Sequence, residues 1–346
     1  MNFKLQTPMI LVHNYGLAIF FFAITMICWG SWANTQKLAA KNWRFELFYW
    51  DLTLGLMLTA TLAAFTVGSL GNEGRPFLQD LQQADGKSII NAMLGGIVWN
   101  LGNILLVAAI AVAGMSVGFP IGGGLAWILG IAFNFILVLT DKGKPEGNVV
   151  LLFTGVAVII AAIYLSMLSY RKLAVEQKKT SAKGILLSVG AGLLIAFFYG
   201  LVVKSLDNTF VTGGAGNLTP FTGVFFFAVG VAVSTPIFNP FFMRYPVQGE
   251  PVRIKEYFRG SFKTHSSGLI GGLIWMTGMT VSFMSAGAAN PAISYALSNA
   301  APVVAILWGI FIWKEFKGAP KSTNVLLISM FICFLVGLVL ITLSNS

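Results

Sequence analysis

The chain contains Gly95-Gly96-Ile97-Val98-Trp99-Asn100-Leu101-Gly102 and repeats this pattern as Gly271-Gly272-Leu273-Ile274-Trp275-Met276-Thr277-Gly278. Both copies lie in apolar stretches longer than the roughly 20 residues that a helix needs to cross a bilayer. The shift between them is close to half of the chain length of 346 residues. A duplicated membrane domain with its binding site between the copies is the usual architecture of a secondary transporter, so the pattern predicts transport.

Composition supports a membrane protein. Hydrophobic residues make up 56% of the chain and charged residues 10%, whereas charged residues approach about a quarter of a soluble domain. The apolar runs are continuous rather than alternating, which argues against a membrane β-barrel. We therefore predict an all-α integral membrane protein with about ten spans, near residues 15–37, 46–69, 88–113, 116–139, 149–170, 184–206, 219–243, 267–287, 290–313 and 323–343.

The predicted spans divide into two halves of five. Residues 1–170 form the first five-helix repeat, residues 184–346 form the second, and a basic linker, 171–183, joins them. Because five is odd, the second half enters the membrane from the opposite face. The sequence therefore predicts two inverted five-helix repeats.

The net charge of +10 is distributed unevenly among the loops. The odd-numbered loops hold 16 Lys and Arg residues, whereas the N-terminal segment and the even-numbered loops hold five. Positive residues collect on the cytoplasmic side of a membrane, which predicts an inner (plasma) membrane protein with both termini extracytoplasmic. This pattern makes the charge a topology signal rather than a nucleic-acid surface.

Several other kinds of site find no support in the sequence. Cys28 and Cys333 stand alone in separate apolar stretches, and the two histidines, His13 and His265, are expected outside the spans. Gly86-Lys87-Ser88 lacks the earlier glycine of a phosphate-binding loop, because position 81 is leucine. We expect no metal, no bound cofactor and no enzymatic activity, and the sequence leaves a homodimer open.

Polar residues inside apolar spans are costly and need a partner or a function. Amides, hydroxyls and indoles without a central charge suit a neutral polyhydroxylated solute, since amides both donate and accept and an indole face packs on a sugar ring. The alternative for each residue is a hydrogen bond between helices. The predicted substrate-binding residues are Asn34, Trp99, Asn103, Trp275, Tyr295, Ser298 and Asn299.

Two further features suggest parts of a transport cycle. Asp51 is a carboxylate well inside the second span, where it is a candidate for carrying a proton; the alternative is a salt bridge to Lys37 or Lys41. In the fourth span, a proline followed by three glycines frees backbone groups within the membrane, which suggests a hinge or a cavity wall. The hinge residues would be Pro120, Gly122, Gly123 and Gly124.

Motifs along both halves resemble the bacterial glucose/ribose uptake family of the drug/metabolite transporter superfamily. They include Cys28-Trp29-Gly30-Ser31, Trp99-x-x-Gly102 and Pro120-Ile121-x-x-Gly124-Leu125 in the first half, with Gly272-Leu273-Ile274-Trp275-x-x-Gly278 and Ser294-Tyr295-Ala296-Leu297-Ser298-Asn299 in the second. The run Gly114-Met115-Ser116-Val117-Gly118 resembles the rhamnose–proton symporters. Leu101-Gly102-Asn103 with Asn134 is similar to plant ureide permeases, although residues 171–183 lack that group's phosphate-loop-like motif.

The resemblance implies a ten-helix transporter of two inverted repeats that imports a small neutral solute, most often a sugar, by symport with an ion such as the proton. It leaves the substrate open. Ureides, nucleobases or the export of metabolites or drugs are the alternatives.

Overall fold

The structure, a computed structural model, describes residues 9–39, 43–71, 73–113, 115–173, 182–207, 215–314 and 316–345. Within these residues ten helices are long and apolar enough to cross a membrane, and they carry the predicted all-α architecture. We number them as spans 1 to 10: Tyr15–Leu38, Phe45–Phe65, Gly86–Val112, Ile121–Lys142, Val149–Ser169, Ala182–Val203, Pro220–Arg244, Phe262–Ala288, Pro291–Ile312 and Lys321–Leu343.

Span 8 begins before its predicted start at residue 267. The Ser261 side chain accepts a hydrogen bond from the backbone N–H of Thr264 and caps the helix, which therefore starts at Phe262. His265 thus lies in the first turn of a span. This corrects the expectation that both histidines lie outside the spans.

Span 9 is discontinuous, although its apolar run predicts one helix. A helix from Pro291 to Ser298 ends there, and a second begins at Pro302, which has no N–H to continue the ladder of the first. A π-helical turn follows from Trp308 to Ile312. The central part of span 9 is therefore irregular backbone, which membrane proteins tolerate beside a cavity.

The expected break in span 4 does not appear in this conformation. The helix runs without interruption from Met115 to Lys142, through Pro120 and the three glycines that follow it. A side chain at Gly122 would meet Leu106 and the backbone of Ser188, so this glycine allows close packing against span 6. The proposed hinge motion is a prediction that a single conformation does not test.

The contacts between helices of the two halves repeat in a regular pattern. Span 3 packs on span 6 as span 1 packs on span 8, and span 3 packs on span 7 as span 2 packs on span 8. Spans 5 and 10 pack on each other. A two-fold relation between two five-helix units would give this pattern. It favours the division at residues 170 and 184, which remains a prediction; most of the linker 171–183 lies outside the described residues.

The crossings of spans 2 and 8 and of spans 7 and 3 are built alike. A Cβ atom at Gly272 would overlap the backbone oxygen of Leu52, and a Cβ atom at Gly96 would overlap the backbone oxygen of Phe227. Gly96 and Gly272 hold the same place in the repeated pattern, and nearly the same shift along the chain relates Leu52 to Phe227. The repeated Gly-Gly pairs thus bring two pairs of backbones into contact.

Candidate functional site

A cavity lies where the repeated tryptophans meet. Trp99 and Trp275 are each the fourteenth residue of a 27-residue span, so both lie at the middle of their spans. The cavity is formed by spans 1, 3, 4, 6, 8 and the interrupted part of span 9. The side chains and backbone that line it belong to Trp29, Trp32, Trp99, Asn103, Leu106, Phe119, Gly123, Ala126, Ile195, Phe198, Trp275, Asn299, Ala301 and Pro302.

Six of the fourteen lining residues are aromatic, and several rings pack on one of them, Trp275. Its ring centroid lies 4.1 Å from that of Trp99 and 5.4 Å from that of Trp29. Phe227 stacks against Trp275 at 5.6 Å with 12° between the ring planes. The indole N–H of Trp29 donates to the backbone oxygen of Trp275 at 3.1 Å, which ties span 1 to span 8 at the level of the cavity.

Several polar atoms of the lining have no partner within the described residues. The indole N–H groups of Trp99 and Trp275 find no acceptor there, although both side chains are buried. Asn103 donates through Nδ2 to the hydroxyl of Tyr49, and Asn299 donates through Nδ2 to the backbone oxygen of Tyr295. The Oδ1 atoms of both asparagines are left for another donor. The site therefore offers indole donors and amide acceptors together.

The cavity volume is about 60 Å³. That is room for about four water molecules, whereas pockets that hold small organic ligands measure about 300–1,000 Å³. The cavity in this conformation is therefore smaller than the pockets that hold organic solutes.

Four of the seven predicted binding residues line this cavity: Trp99, Asn103, Trp275 and Asn299. The other three have different surroundings. Asn34 accepts a hydrogen bond from the indole N–H of Trp313 at 2.7 Å, near one end of spans 1 and 9. Tyr295 donates to the backbone oxygen of Ala126, and Ser298 pairs with Ser282 at 2.9 Å. In this conformation these three residues join helices, the alternative considered from the sequence.

Sequence reasoning missed several lining residues. Trp29 belongs to a Trp-Gly pair that Tyr199-Gly200 echoes in the second half, but the echo does not identify a lining residue, because Tyr199 lies outside the cavity lining. Trp32, Phe119 and Phe198 are ordinary apolar residues in the sequence, and only the packing of the spans brings them to the cavity. Pro302 lines it because it begins the second part of span 9.

Asp51 lies outside the cavity and pairs with groups from the second half. Its carboxylate contacts His265 Nδ1 at 2.9 Å and accepts a hydrogen bond from the Tyr257 hydroxyl at 2.6 Å. Among the described residues, Asp51 makes these contacts in place of the pairing with Lys37 that the sequence suggested, and Lys41, the other suggested partner, lies outside the described residues. Burial, and then the adjacent carboxylate, raise the pKa of the Tyr257 phenol above its usual range, so it stays protonated and donates.

Other buried charges lie toward the ends of the bundle. Arg75 pairs with Asp80 at 2.8 Å and with Asp207 at 3.0 Å, which joins the loops that follow spans 2 and 6. At the first turn of span 2, Glu46 pairs with Arg44 at 2.5 Å. None of the fourteen described residues that line the cavity is charged. The cavity therefore suits a neutral solute.

Comparison with known proteins places the chain among membrane permeases. The model of the family described as "Ureide permease" matches residues 48–183 and 170–344. Ureide permease 1 of Arabidopsis thaliana is 24% identical over 392 aligned residues, covering 97% of this chain and 99% of the relative. Ureide permease 2 of the same plant is 25% identical, with 97% of this chain and 99% of the relative covered.

A bacterial sugar transporter and a solved structure are also similar. The probable glucose uptake protein GlcU of Staphylococcus aureus (strain Mu50 / ATCC 700699) is 24% identical over 241 residues, covering 68% of this chain and 72% of the relative. A crystal structure with 13% identity superposes with a TM-score of 0.57 over 94% of this chain and 97% of the other. That likeness concerns the fold alone.

Proposed function

This chain belongs to the ureide permease family, and from that premise we propose that its tryptophan cavity carries a small neutral ureide across the membrane. The relatives are named permeases, so the protein is a multi-pass membrane transporter rather than an enzyme. The substrate, the direction of transport and the coupling ion form the proposal. The unpaired indole donors and amide acceptors of the cavity carry it.

A ureide fits the chemistry of these lining atoms. Allantoin, a representative ureide, combines a planar five-membered ring with a urea group, and both parts carry N–H donors and carbonyl acceptors. The N–H groups of Trp99 and Trp275 suit its carbonyl oxygens, and the Oδ1 atoms of Asn103 and Asn299 suit its N–H groups. A flat ring packs well between aromatic faces. The absence of charge among the described lining residues accords with a neutral cargo.

A sugar is the second candidate. The similarity to the glucose uptake protein favours it, as does the packing of indole faces on the C–H faces of sugar rings. The sequence alone favoured the sugar. The family assignment supports a ureide at least as well, because the relatives that the chain matches over 97% of its length are named ureide permeases.

Proton symport with import is the proposed energy coupling, with Asp51 as the proton carrier. Asp51 and His265 lie at one end of the crossing of spans 2 and 8, and span 8 also carries Trp275. A proton shared between these side chains changes the strength of their contact and so biases this crossing. Ten residues separate His265 from Trp275, about 15 Å along a helix. The loops at this end are those with excess positive charge, which supports a cytoplasmic position and extracytoplasmic termini.

The test is uptake of labelled allantoin and labelled glucose into liposomes containing the purified protein, with and without an inward proton gradient. The proposal expects gradient-dependent accumulation of allantoin, which unlabelled uracil or hydantoin reduces and unlabelled glucose does not. Accumulation of glucose without allantoin would establish the second candidate. Uptake of neither solute would overturn both.

A further inference from the structure

Behind the cavity, a chain of buried hydrogen bonds runs from Asn103 into the protein. Asn103 Nδ2 donates to the Tyr49 hydroxyl at 3.1 Å, and that hydroxyl donates to Asn100 Oδ1 at 2.9 Å. Asn100 Nδ2 in turn donates to Ser234 at 2.8 Å and to Thr235 at 3.1 Å. All five side chains are buried, and only Asn103 lines the cavity.

The donor and acceptor of each bond in this network are determined by the contacts that Asn100 makes with span 7. The Ser234 hydroxyl donates its proton to the backbone oxygen of Gly230, and the Thr235 hydroxyl donates to that of Val231. Asn100 Nδ2 also lies 3.3 Å from the backbone oxygen of Val231, and a carbonyl only accepts, so the nitrogen of this amide must face span 7. The amide of Asn100 therefore has one orientation, with Nδ2 toward span 7 and Oδ1 toward Tyr49.

The orientation of the Asn103 amide at the cavity follows from that of Asn100. Because Asn100 Oδ1 only accepts, the Tyr49 hydroxyl donates its single proton there and accepts from Asn103 through its lone pairs. The Asn103 amide must then turn Nδ2 toward Tyr49, which leaves Oδ1 for the cavity. Amide orientation is ordinarily ambiguous, and a network whose ends are fixed resolves it.

The second half of the chain shows that packing alone does not require this network. The repeat that aligns Trp99 with Trp275 also aligns Asn100 with Met276 and Asn103 with Met279. The shift that relates Leu52 to Phe227 likewise relates Tyr49 to Val224. These three apolar counterparts are all buried. These positions of spans 7 and 8 thus hold apolar side chains where the equivalent positions of spans 2 and 3 hold polar groups that are costly to bury.

We infer that Tyr49 and Asn100 are positioning residues that fix Asn103 as a hydrogen-bond acceptor, so that the site selects solutes bearing an N–H donor at this point. The inference rests on the proposed ureide function and identifies Asn103 Oδ1 as the atom that accepts a hydrogen bond from the solute. Without the Tyr49 hydroxyl, the Asn103 amide is free to turn, and it offers a donor as readily as an acceptor.

The test compares two inhibitors of allantoin uptake, hydantoin and 1,3-dimethylhydantoin, in which both N–H groups of hydantoin are replaced by N–CH₃. The wild-type protein should favour hydantoin by about tenfold, the effect of one hydrogen bond. Tyr49→Phe should reduce this preference to about threefold or less, because the acceptor is no longer fixed. The ratio of the two inhibition constants is the readout, since a general loss of folded protein does not change it.

Two variants control for structural damage. Tyr199→Phe removes a hydroxyl from an equally buried tyrosine that lies outside this network and outside the cavity lining, and it should keep the tenfold preference. Asn103→Met installs the side chain found at the equivalent position of the second half. It should lose the preference, and adding Tyr49→Phe to it should change the ratio no further.

The outcomes separate the two proposals. If wild-type protein takes up allantoin and Tyr49→Phe keeps the wild-type ratio, the positioning role is overturned and the ureide function stands. If wild-type protein takes up no allantoin, the ureide function falls, and this inference falls with it.

Discussion

At the residue scale, the two central tryptophans have different surroundings despite their equivalent positions. Trp275 is in ring contact with Trp29, Trp99 and Phe227, and its backbone oxygen accepts from the indole of Trp29. Its own N–H remains without an acceptor within the described residues. Packing fixes this ring, so under the proposed function its N–H would be a preorganised donor for a solute carbonyl.

Replacing Trp275 by phenylalanine should keep an aromatic surface and remove the donor. We expect the concentration of allantoin for half-maximal uptake to rise about tenfold, since one neutral hydrogen bond is lost. Uptake kinetics in proteoliposomes measure this. Trp50→Phe is the matched control, because the Trp50 N–H also lacks a partner within the described residues but lies outside the cavity. Equal effects of the two changes would contradict the role given to Trp275.

Asp51→Asn should uncouple transport from the proton gradient. The amide keeps the shape of the carboxylate and takes up no proton, so accumulation against a concentration gradient is expected to fall to the uncoupled level while exchange of labelled for unlabelled solute continues. Both are measured in proteoliposomes with an imposed gradient. Asp141→Asn alters an exposed carboxylate and should change neither rate. Undiminished accumulation in Asp51→Asn would remove Asp51 from the mechanism.

The sequence predicted part of the site at this scale, and the reason for the rest is physical. Trp99, Trp275 and Asn103 line the cavity: duplication marks the two tryptophans, and an amide within a span needs a partner. Tyr295 and Ser298 bond to neighbouring helices in this conformation, because the sequence does not encode how span 9 is rotated, and their role in binding stays a prediction. His265 reaches Asp51 from the other half of the chain, a contact that spacing along the sequence does not encode.

At the element scale, the duplicated glycine crossings carry the most demanding packing. Gly272→Ala and Gly96→Ala each force a methyl group into a backbone carbonyl of the facing helix, because both crossings bring backbones into contact. We expect each change to cost more than about 2 kcal/mol of stability. Thermal unfolding of the detergent-solubilised protein measures the loss.

Gly190→Ala supplies the comparison for these crossings. The nearest atom to an added Cβ at Gly190 is a Leu105 methyl carbon at 3.6 Å, an ordinary contact. Alanine should therefore leave stability unchanged or raise it by about 0.5–1 kcal/mol through helix propensity. If Gly96→Ala and Gly272→Ala behaved like Gly190→Ala, the two crossings would be looser than described here.

A comparison of predicted and observed helix boundaries shows what the apolar runs of the sequence predict well and what they miss. Ten runs gave ten helices, with the start of span 8 moved by the Ser261 cap and span 9 divided before Pro302. In span 4, by contrast, Pro120 lies near the start of the helix, so the loss of one N–H there leaves the rest of the ladder intact. Whether a proline interrupts a helix depends on where in the helix it lies, and hydropathy carries no information on that position.

At the scale of the whole molecule, inverted repeats place equivalent loops on opposite faces of the membrane. Lys144, after span 4, and Lys317, after span 9, are both exposed. Single cysteines at these positions, with Cys28 and Cys333 replaced by alanine, should react differently with a membrane-impermeant maleimide in intact cells. We expect labelling at position 144 only. Labelling of both positions, or of position 317 alone, would contradict the proposed topology.

The cavity also constrains the transport cycle of the whole molecule. At about 60 Å³ it is too small for a ureide or a sugar, and the rings that fill it belong to both halves. The proposed transport cycle therefore needs a further conformation in which this cavity is wider. The polar network, which joins spans 2, 3 and 7, reaches the cavity at Asn103, whereas the equivalent residue of span 8, Met279, is buried and apolar.

The central claim is that this cavity binds a neutral ureide, and equilibrium binding of allantoin tests it most directly. Titration calorimetry of the solubilised protein should show saturable binding by the wild type and by Trp50→Ala, and none by the double variant Trp99→Ala/Trp275→Ala at the same concentrations, provided that all three elute as folded protein. Binding that survives in the double variant would place the site elsewhere. Saturable binding of glucose with no binding of allantoin would contradict the ureide assignment itself.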